Sequence, residues 1–410
     1  MALEPLLSID TALERLLAHT APVVDKETIA VDAALGRVTA ERIVAPMNVP
    51  PFTASAMDGY AVNAADSCFV ADPPYRIPVR GRSVAGAPAS IPLDTNAAVR
   101  IFTGAALPER ADSIVLQENV QTDGESIVVS QRPRSGAWVR PIGHDVPGGA
   151  ELFPSGTRLR PFELGWLAAC GVTRVVVTRV VRVALFSTGD ELREPGTRLE
   201  SGQIFESNRR VLRELLRGQP VELIDLGIVR DDEAAIAAML GSAAQRADVV
   251  LTSGGVSVGD ADHVRTALER VGKLEFWRLA LKPGKPLAYG TIGDARFFGL
   301  PGNPVSTIVT FLLLVVPVIA RLAGNPHVQP LKLRARLTER VAHERGRAEY
   351  LRARYRATES GYVATPTGDQ SSNRLASFRD ANCLAIVPAD ATDLDVGADI
   401  ELLPFEGLVR

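Results

Sequence analysis

From Val181 onward the chain alternates short apolar runs with helix-periodic segments, and this order constrains the fold more than any other feature. The run VRVALFS meets the turn Thr188-Gly-Asp-Glu-Leu192, and a helix is expected over Ser207 to Arg217. VELIDLGIV then meets Arg230-Asp-Asp, and a second helix is expected over Glu233 to Arg246. Strands joined by helices pair in parallel through right-handed crossovers. The expectation is a doubly wound, mainly parallel α/β region whose ligand edge lies at the carboxyl ends of its strands.

Three turns at that edge carry the candidate chemistry. In ADVVLTSGGVSVGDADHV, the apolar run Val249 to Leu251 leads into a glycine-rich turn, Thr252 to Gly259, and a helix from about Asp260. Gly254 and Gly255 let backbone N–H groups approach a ligand, and with Ser253 they form an oxyanion-sized loop ahead of a helix start carrying partial positive charge. Asp260 alone reads as a helix cap. Asp260 and Asp262 together beside an anion loop would repel a phosphate unless a divalent cation lay between them, which points to Mg2+.

The second turn is Arg278-Leu-Ala-Leu-Lys-Pro-Gly-Lys-Pro286. Lysine occurs only at positions 26, 273, 282, 285 and 332 among the 45 basic residues. In a chain that otherwise uses Arg, Lys282 and Lys285 around Pro-Gly suggest compact ammonium groups acting on an oxyanion, with a solvated turn as the plain alternative. The third turn, Phe297-Phe-Gly-Leu-Pro301-Gly302-Asn303-Pro304-Val-Ser306, reads as a strand-to-helix junction capped by Asn303, with Pro304 in the first helical turn. The carboxylates Asp190, Glu191, Asp231 and Asp232 also follow strands. One such acid is a cap, but several reaching one edge beside Lys282 and Lys285 resemble a metal-and-phosphate site, with Asp231 and Asp262 as the expected Mg2+ ligands.

Length and composition bound the rest. At 410 residues the chain exceeds one core. A net charge of -3, with no basic stripe alternating with aromatics, gives no expectation of nucleic-acid binding. Cys68, Cys170 and Cys383 are far apart and odd in number, and the five His are scattered, so neither a disulfide framework nor a zinc site is expected. The N-terminus MALEPLLSIDTALERLL lacks a signal pattern, which favours the cytoplasm. The apolar stretch Pro304 to Ala320 falls short of the roughly 20 residues a membrane span needs, so it is expected as a buried core helix.

Elsewhere, Leu6 to His19 is helix-periodic, with Ser8 or Asp10 as cap. MNVPPFTASAMDGYAV reads as an ordered functional loop around Asp58-Gly59, with a simple turn as the alternative. Residues 76–145 alternate β-rich runs with turns, Arg160 to Cys170 is helical, and Thr173 to Val180 is extended. After Gly324 the chain again becomes β-rich, suggesting a small barrel or sandwich.

Together the motifs PPFTASAMDGYAV, IFTGA, STGDEL, RDD, TSGGVSVGDADHV, LKPGKPL and GLPGNPVS resemble, in order, the MoeA family of molybdopterin molybdenumtransferases, to which the second domain of gephyrin and its plant counterpart are related. The resemblance spans essentially the whole chain. It implies a cytoplasmic homodimer that inserts molybdate into adenylylated molybdopterin in a Mg2+-dependent step, releasing AMP. It implies four domains: residues 6–26 with 148–180 as a small connector, 47–147 as a β-rich domain, 27–46 with 181–326 as the α/β catalytic domain, and 327–410 as a C-terminal β-barrel. It maps functional roles onto Asp58, Thr103, Asp145, Glu191, Asp231, Asp262, Lys282, Pro301 and Pro304, and contacts with molybdate or nucleotide onto Ser257, Lys285, Ser306, Arg347 and Ser372. The molybdopterin adenylyltransferase and apo-molybdoenzymes are the protein partners it suggests. No Cys or Ser nucleophile with a His base is apparent, so cleavage is expected without a covalent enzyme intermediate. The rival enzyme, the adenylyltransferase itself, shares the TSGG loop but normally lacks flanking β domains. A non-enzymatic scaffold would call for a long linker that the sequence does not show.

Overall fold

The computed structural model describes residues 6–255, 263–326 and 329–408. The alternation from Val181 builds a six-stranded sheet of β1 (Val181–Thr188), β2 (Val221–Val229), β3 (Val249–Ser253), β4 (Lys273–Arg278), β5 (Pro286–Ile292) and β6 (Ala295–Leu300). Their order is β2-β1-β3-β6-β5-β4. The first four in that order are parallel, whereas β6–β5 and β5–β4 are antiparallel. Two reversals restore direction, so the end of β4 at Arg278 reaches the same edge as the ends of β1, β2, β3 and β6.

Helices cover both faces. Leu212 and Leu216 of α1 (Asn208–Arg217) join the apolar helix that starts at Pro304 on one side, while Ile236 and Leu240 of α2 (Glu233–Ala244) join Val264 and Leu268 of α3 (His263–Val271) on the other. With both faces packed, all five residues of β3 are buried, which explains the unbroken apolar run Val249–Leu251. The apolar helix runs from Pro304 to Leu322, with a π-helical stretch at Phe311–Val315. It is long and apolar enough to cross a membrane, yet 83% of its most apolar window is buried inside the protein.

Leu333–Leu337, Ala348–Thr358, Gly361–Pro366, Cys383–Val387 and Asp399–Pro404 form a closed five-stranded barrel, the ring completed by the pairing of Ala348–Thr358 with Cys383–Val387. Gly59–Val62, Tyr75–Ser83, Ala98–Ile101, Ser113–Leu116, Val120–Asp123 and Ser126–Val129 make a separate six-stranded sheet.

The expected grouping of the N-terminal segments is corrected. The helix Ile9–Ala18, capped by Ser8, buries Ile9, Ala12 and Leu16 in the core of the α/β region, whereas the resemblance implies a place for 6–26 in the connector. Conversely, Lys26–Ala30 pairs with Arg174–Thr178, and Val31, Ala34 and Ala45 pack with Leu152, Phe153 and Leu167, so 27–46 belongs with the connector strands. Helical spacing in Leu6 to His19 calls for a partner surface but does not say which one supplies it.

An ion cluster fastens the connector to the sheet. Arg179 donates from both terminal nitrogens to Asp248, each at 2.8 Å, and from Nε to Asp25 at 2.9 Å, while the Arg182 amide donates to Asp248 at 2.7 Å. Burial pushes the Asp248 carboxyl up, but the Arg179 guanidinium and the Arg182 amide outweigh it and hold it below the usual range. A depressed folded value contributes stability above the ordinary carboxylate pKa, and that contribution is lost as pH falls through the folded value. Asp248→Asn is therefore expected to cost about 2 kcal/mol at pH 7, because it takes the carboxylate from both terminal nitrogens of a mostly buried guanidinium and leaves it Asp25 at Nε. Thermal midpoints of the two proteins should converge on acidification toward pH 3; a constant gap would show that the charge is irrelevant.

Candidate active site

At the carboxyl edge of the sheet lies a cleft of about 800 Å³ walled by all three glycine- and proline-rich turns and by the mouth of the barrel. β1 delivers Thr188, Gly189 and Glu191, β2 delivers Asp231, and β3 delivers Gly254 and Gly255. Gly254 has φ +92°, and a Cβ there would sit 2.5 Å from the Thr188 carbonyl oxygen. At Gly255, with φ +67°, a Cβ would meet Val264 Cγ2 at 2.5 Å. Both positions therefore exclude any side chain, on conformational and steric grounds together.

The acidic wall is braced from behind. Thr188 Oγ1 donates to Asp231 Oδ1 at 3.2 Å, and the Asp231 amide donates to Asp190 Oδ1 at 3.2 Å, so Asp190 supports the turn. Arg209 of α1 bonds Asp225 at 2.5 Å and also holds Glu194, and Glu206 accepts from Ser187 Oγ at 3.1 Å. These largely buried contacts of Arg209 and Glu206 fix the excursion between β1 and α1 that carries Glu191 and Ile204 to the cleft. Asn208, which sequence reasoning missed, donates to Ser253 Oγ at 2.8 Å and to the Gly302 carbonyl at 2.7 Å, fastening the end of β3 to the turn that follows β6. Ser253 is thereby 2% exposed, spent on the framework instead of lining the cleft.

Pro301, Gly302, Asn303 and Ser306 line the cleft, and Pro304 begins the apolar helix. One expectation fails here: the Asn303 side chain makes no cap bond. Its amide instead donates to Ser372 Oγ at 3.0 Å, while the Ser372 carbonyl accepts from the Val305 amide at 3.0 Å. A donor of the helix start and the Asn303 amide are thus both engaged in docking the barrel loop, which makes Ser372 part of the wall. That loop is held from within the barrel: the Arg352 amide donates to Gln370 Oε1 at 2.9 Å, and Gln370 Nε2 donates to the Arg352 carbonyl at 3.1 Å.

The basic wall combines Arg278, Lys282 and Lys285 with Arg347 of the barrel. Leu281–Lys282 adds to the barrel as a two-residue parallel strand, with Leu281 opposite Ala348 and Lys282 opposite Glu349. Lys282 Nζ lies 3.0 Å from Glu349, so its charge is already partnered. Nothing near Lys282 in sequence announces Glu349; the pairing is non-local and became visible only in three dimensions.

Other expected residues lie apart. Asp58 and Thr103 meet in the N-terminal β region, where the Thr103 amide and hydroxyl both donate to Asp58 Oδ1 at 2.7 Å and hold its carboxyl below the usual range. The Asp145 amide bonds the Val49 carbonyl at 2.9 Å in a neighbouring turn. None of the three lines this chain's own cleft. Ser257, Asp260 and Asp262 fall outside the described residues.

Among the described residues no three His, Cys, Asp or Glu side chains gather into a metal-holding group. The donor chemistry still fits Mg2+, which typically takes one or two carboxylates, keeps several waters and completes its shell with substrate phosphates. Glu191 and Asp231 supply hard oxygen donors on the cleft wall.

The chain matches the model of the MoeA N-terminal region (domain I and II) over residues 7–171, the probable molybdopterin binding domain over 184–321 and the MoeA C-terminal region (domain IV) over 334–405. It is 38% identical over 407 residues to a molybdopterin molybdenumtransferase of Haemophilus influenzae, covering 98% of this chain and all of that protein. It is 30% identical to gephyrin of Dictyostelium discoideum, covering 96% of this chain and 62% of gephyrin. The fold is similar to that of a molybdopterin biosynthesis MoeA protein from Pyrococcus horikoshii OT3, with TM-score 0.84, 30% identity and coverage of 97% and 100%.

Proposed function

Because the chain belongs to the MoeA family of molybdopterin molybdenumtransferases, enzymes of molybdenum cofactor biosynthesis, we propose that its cleft inserts molybdate into adenylylated molybdopterin and cleaves the adenylate, releasing AMP. The observation that carries this reading is the division of one cleft into a basic wall of Arg278, Lys282, Lys285 and Arg347 and an acidic wall of Glu191 and Asp231, with the Gly254–Gly255 turn as a further wall of the same cleft.

In this reading Lys282, Lys285 and Arg347 hold the tetrahedral dianion by charge, and Ser306 and Ser372 donate hydrogen bonds to it. The backbone amides of Gly254 and Gly255 receive phosphate oxygens. Asp231, together with Asp262, would hold Mg2+. When bound, that ion would supply Lewis-acid neutralisation of the pyrophosphate oxygens. Glu191 orients the nucleotide end, and the Pro301–Pro304 turn shapes the space beside it. Asp58, Thr103 and Asp145 act in a homodimer, where the N-terminal β region of one subunit reaches the cleft of the other. The protein works in the cytoplasm, receiving its substrate from the adenylyltransferase and passing cofactor to apo-molybdoenzymes.

The direct test is incubation with adenylylated molybdopterin, Mg2+ and either molybdate or tungstate. AMP and metal-containing cofactor should appear in equal amounts. Formation of cofactor without AMP, or of neither, removes the proposal. Both metalates are tetrahedral dianions, and both are expected to support the reaction.

A further inference from the structure

We infer that Glu349 is a positioning residue: anchored by His343 inside the barrel mouth, it fixes the Lys282 ammonium at the cleft, so that the barrel sets where the oxyanion binds. The inference rests on the reading that Lys282 holds the metalate. Glu349 is 3% exposed, and both of its oxygens are engaged. Lys282 Nζ approaches within 3.0 Å, and the Nδ1 of His343, itself 7% exposed, lies 3.1 Å from Oε2. The His343 amide donates to Asp393 at 2.9 Å, which pins the His343 backbone.

Such burial identifies the role. A carboxylate this deep is held by its partners, since an unpaired one would be strongly destabilising. Lys282 is the mobile member, with a long flexible stem and a side chain nearly half exposed to the cleft. An unanchored lysine spreads its ammonium over many rotamers. Here the strand pairing of Lys282 opposite Glu349 and the ion pair remove that freedom before any ligand arrives. Among the described residues the buried His343 Nε2 atom has no hydrogen-bond partner, so the histidine faces Glu349 at some cost to its other nitrogen.

AMP-release kinetics at varied molybdate separate this inference from the reading beneath it. Lys282→Ala is expected to raise the half-saturating molybdate at least ~10-fold; no change would remove Lys282 from the oxyanion site, and with it the inference. Given that effect, Glu349→Gln should raise half-saturation by about 5–10-fold with kcat at saturation within ~2-fold of the parent. Glu349→Asp, which keeps the charge but falls one methylene short, should behave like Glu349→Gln. Glu349→Gln placed on Lys282→Ala should add nothing, because its effect passes through the lysine. A parental response in both Glu349 variants, or full additivity in the double variant, overturns the inference while leaving the Lys282 role standing. A reading independent of folding comes from the parent protein: its five lysines give few ammonium resonances. The one lost in Lys282→Ala should exchange with water more slowly than those of exposed lysines; exchange as fast as theirs would also overturn it.

Discussion

Asp231→Asn is expected to lower the rate of AMP release by roughly 10²- to 10³-fold at saturating substrates, equivalent to about 3–4 kcal/mol of lost transition-state stabilisation. The substitution keeps shape and removes charge. An asparagine carbonyl still accepts from Thr188 Oγ1, and the backbone amide still reaches Asp190, so the turn after β2 should stay in place. What disappears is the anionic oxygen that faces the cleft and would ligate the divalent ion. The loss should be partly recovered at high Mg2+ if it arises from weakened ion binding. The same substitution at Asp262, outside the described residues, is expected to match it in size. Turnover within ~5-fold of the parent, with Mg2+ dependence unaltered, would take Asp231 out of the chemistry.

Gly254→Ala should be nearly as damaging for a different reason. A left-handed φ and a Cβ 2.5 Å from a backbone oxygen cannot both be accommodated without moving β1 or β3. The expected cost is about 2–4 kcal/mol of stability, with activity down more than ~100-fold. Gly302→Ala provides the contrast. Among the described residues its added methyl would meet only the Gly254 Cα, at 3.9 Å, so the thermal midpoint should hold. Activity should still fall, because the methyl occupies the gap between the two glycines where ligand is expected. Equal destabilisation by both substitutions would show that the gap is a packing feature and not a binding surface.

The sequence made the doubly wound sheet legible because its periodicity is local: apolar runs such as Val249–Leu251, each followed by a polar turn, state their own burial. The convergence of Glu191 and Asp231 followed from topology, since parallel strands deliver their ends to one edge, whereas Lys282 and Lys285 reach it because two antiparallel pairings turn the end of β4 back to that side. Less could be read where a residue's partner lies far along the chain. Lys282 looked like a free cation because Glu349 is 67 positions away. Asn303 looked like a cap because nothing near it named Ser372 as a competing acceptor. Asn208 sits at the start of an ordinary amphipathic helix, and its bracing of Ser253 and Gly302 has no signature in composition or spacing. The swapped assignment of 6–26 and 27–46 has the same origin.

The parallel register of Leu281–Lys282 on the barrel has a consequence for exchanging parts between relatives. One wall of the cleft is made from two segments that are distant in the chain yet paired residue to residue, so neither is an interchangeable cassette. A chimera that imports a foreign barrel while retaining the native 278–286 turn would fold in each half and still misplace its ammonium group. Only grafting both segments together should carry activity across.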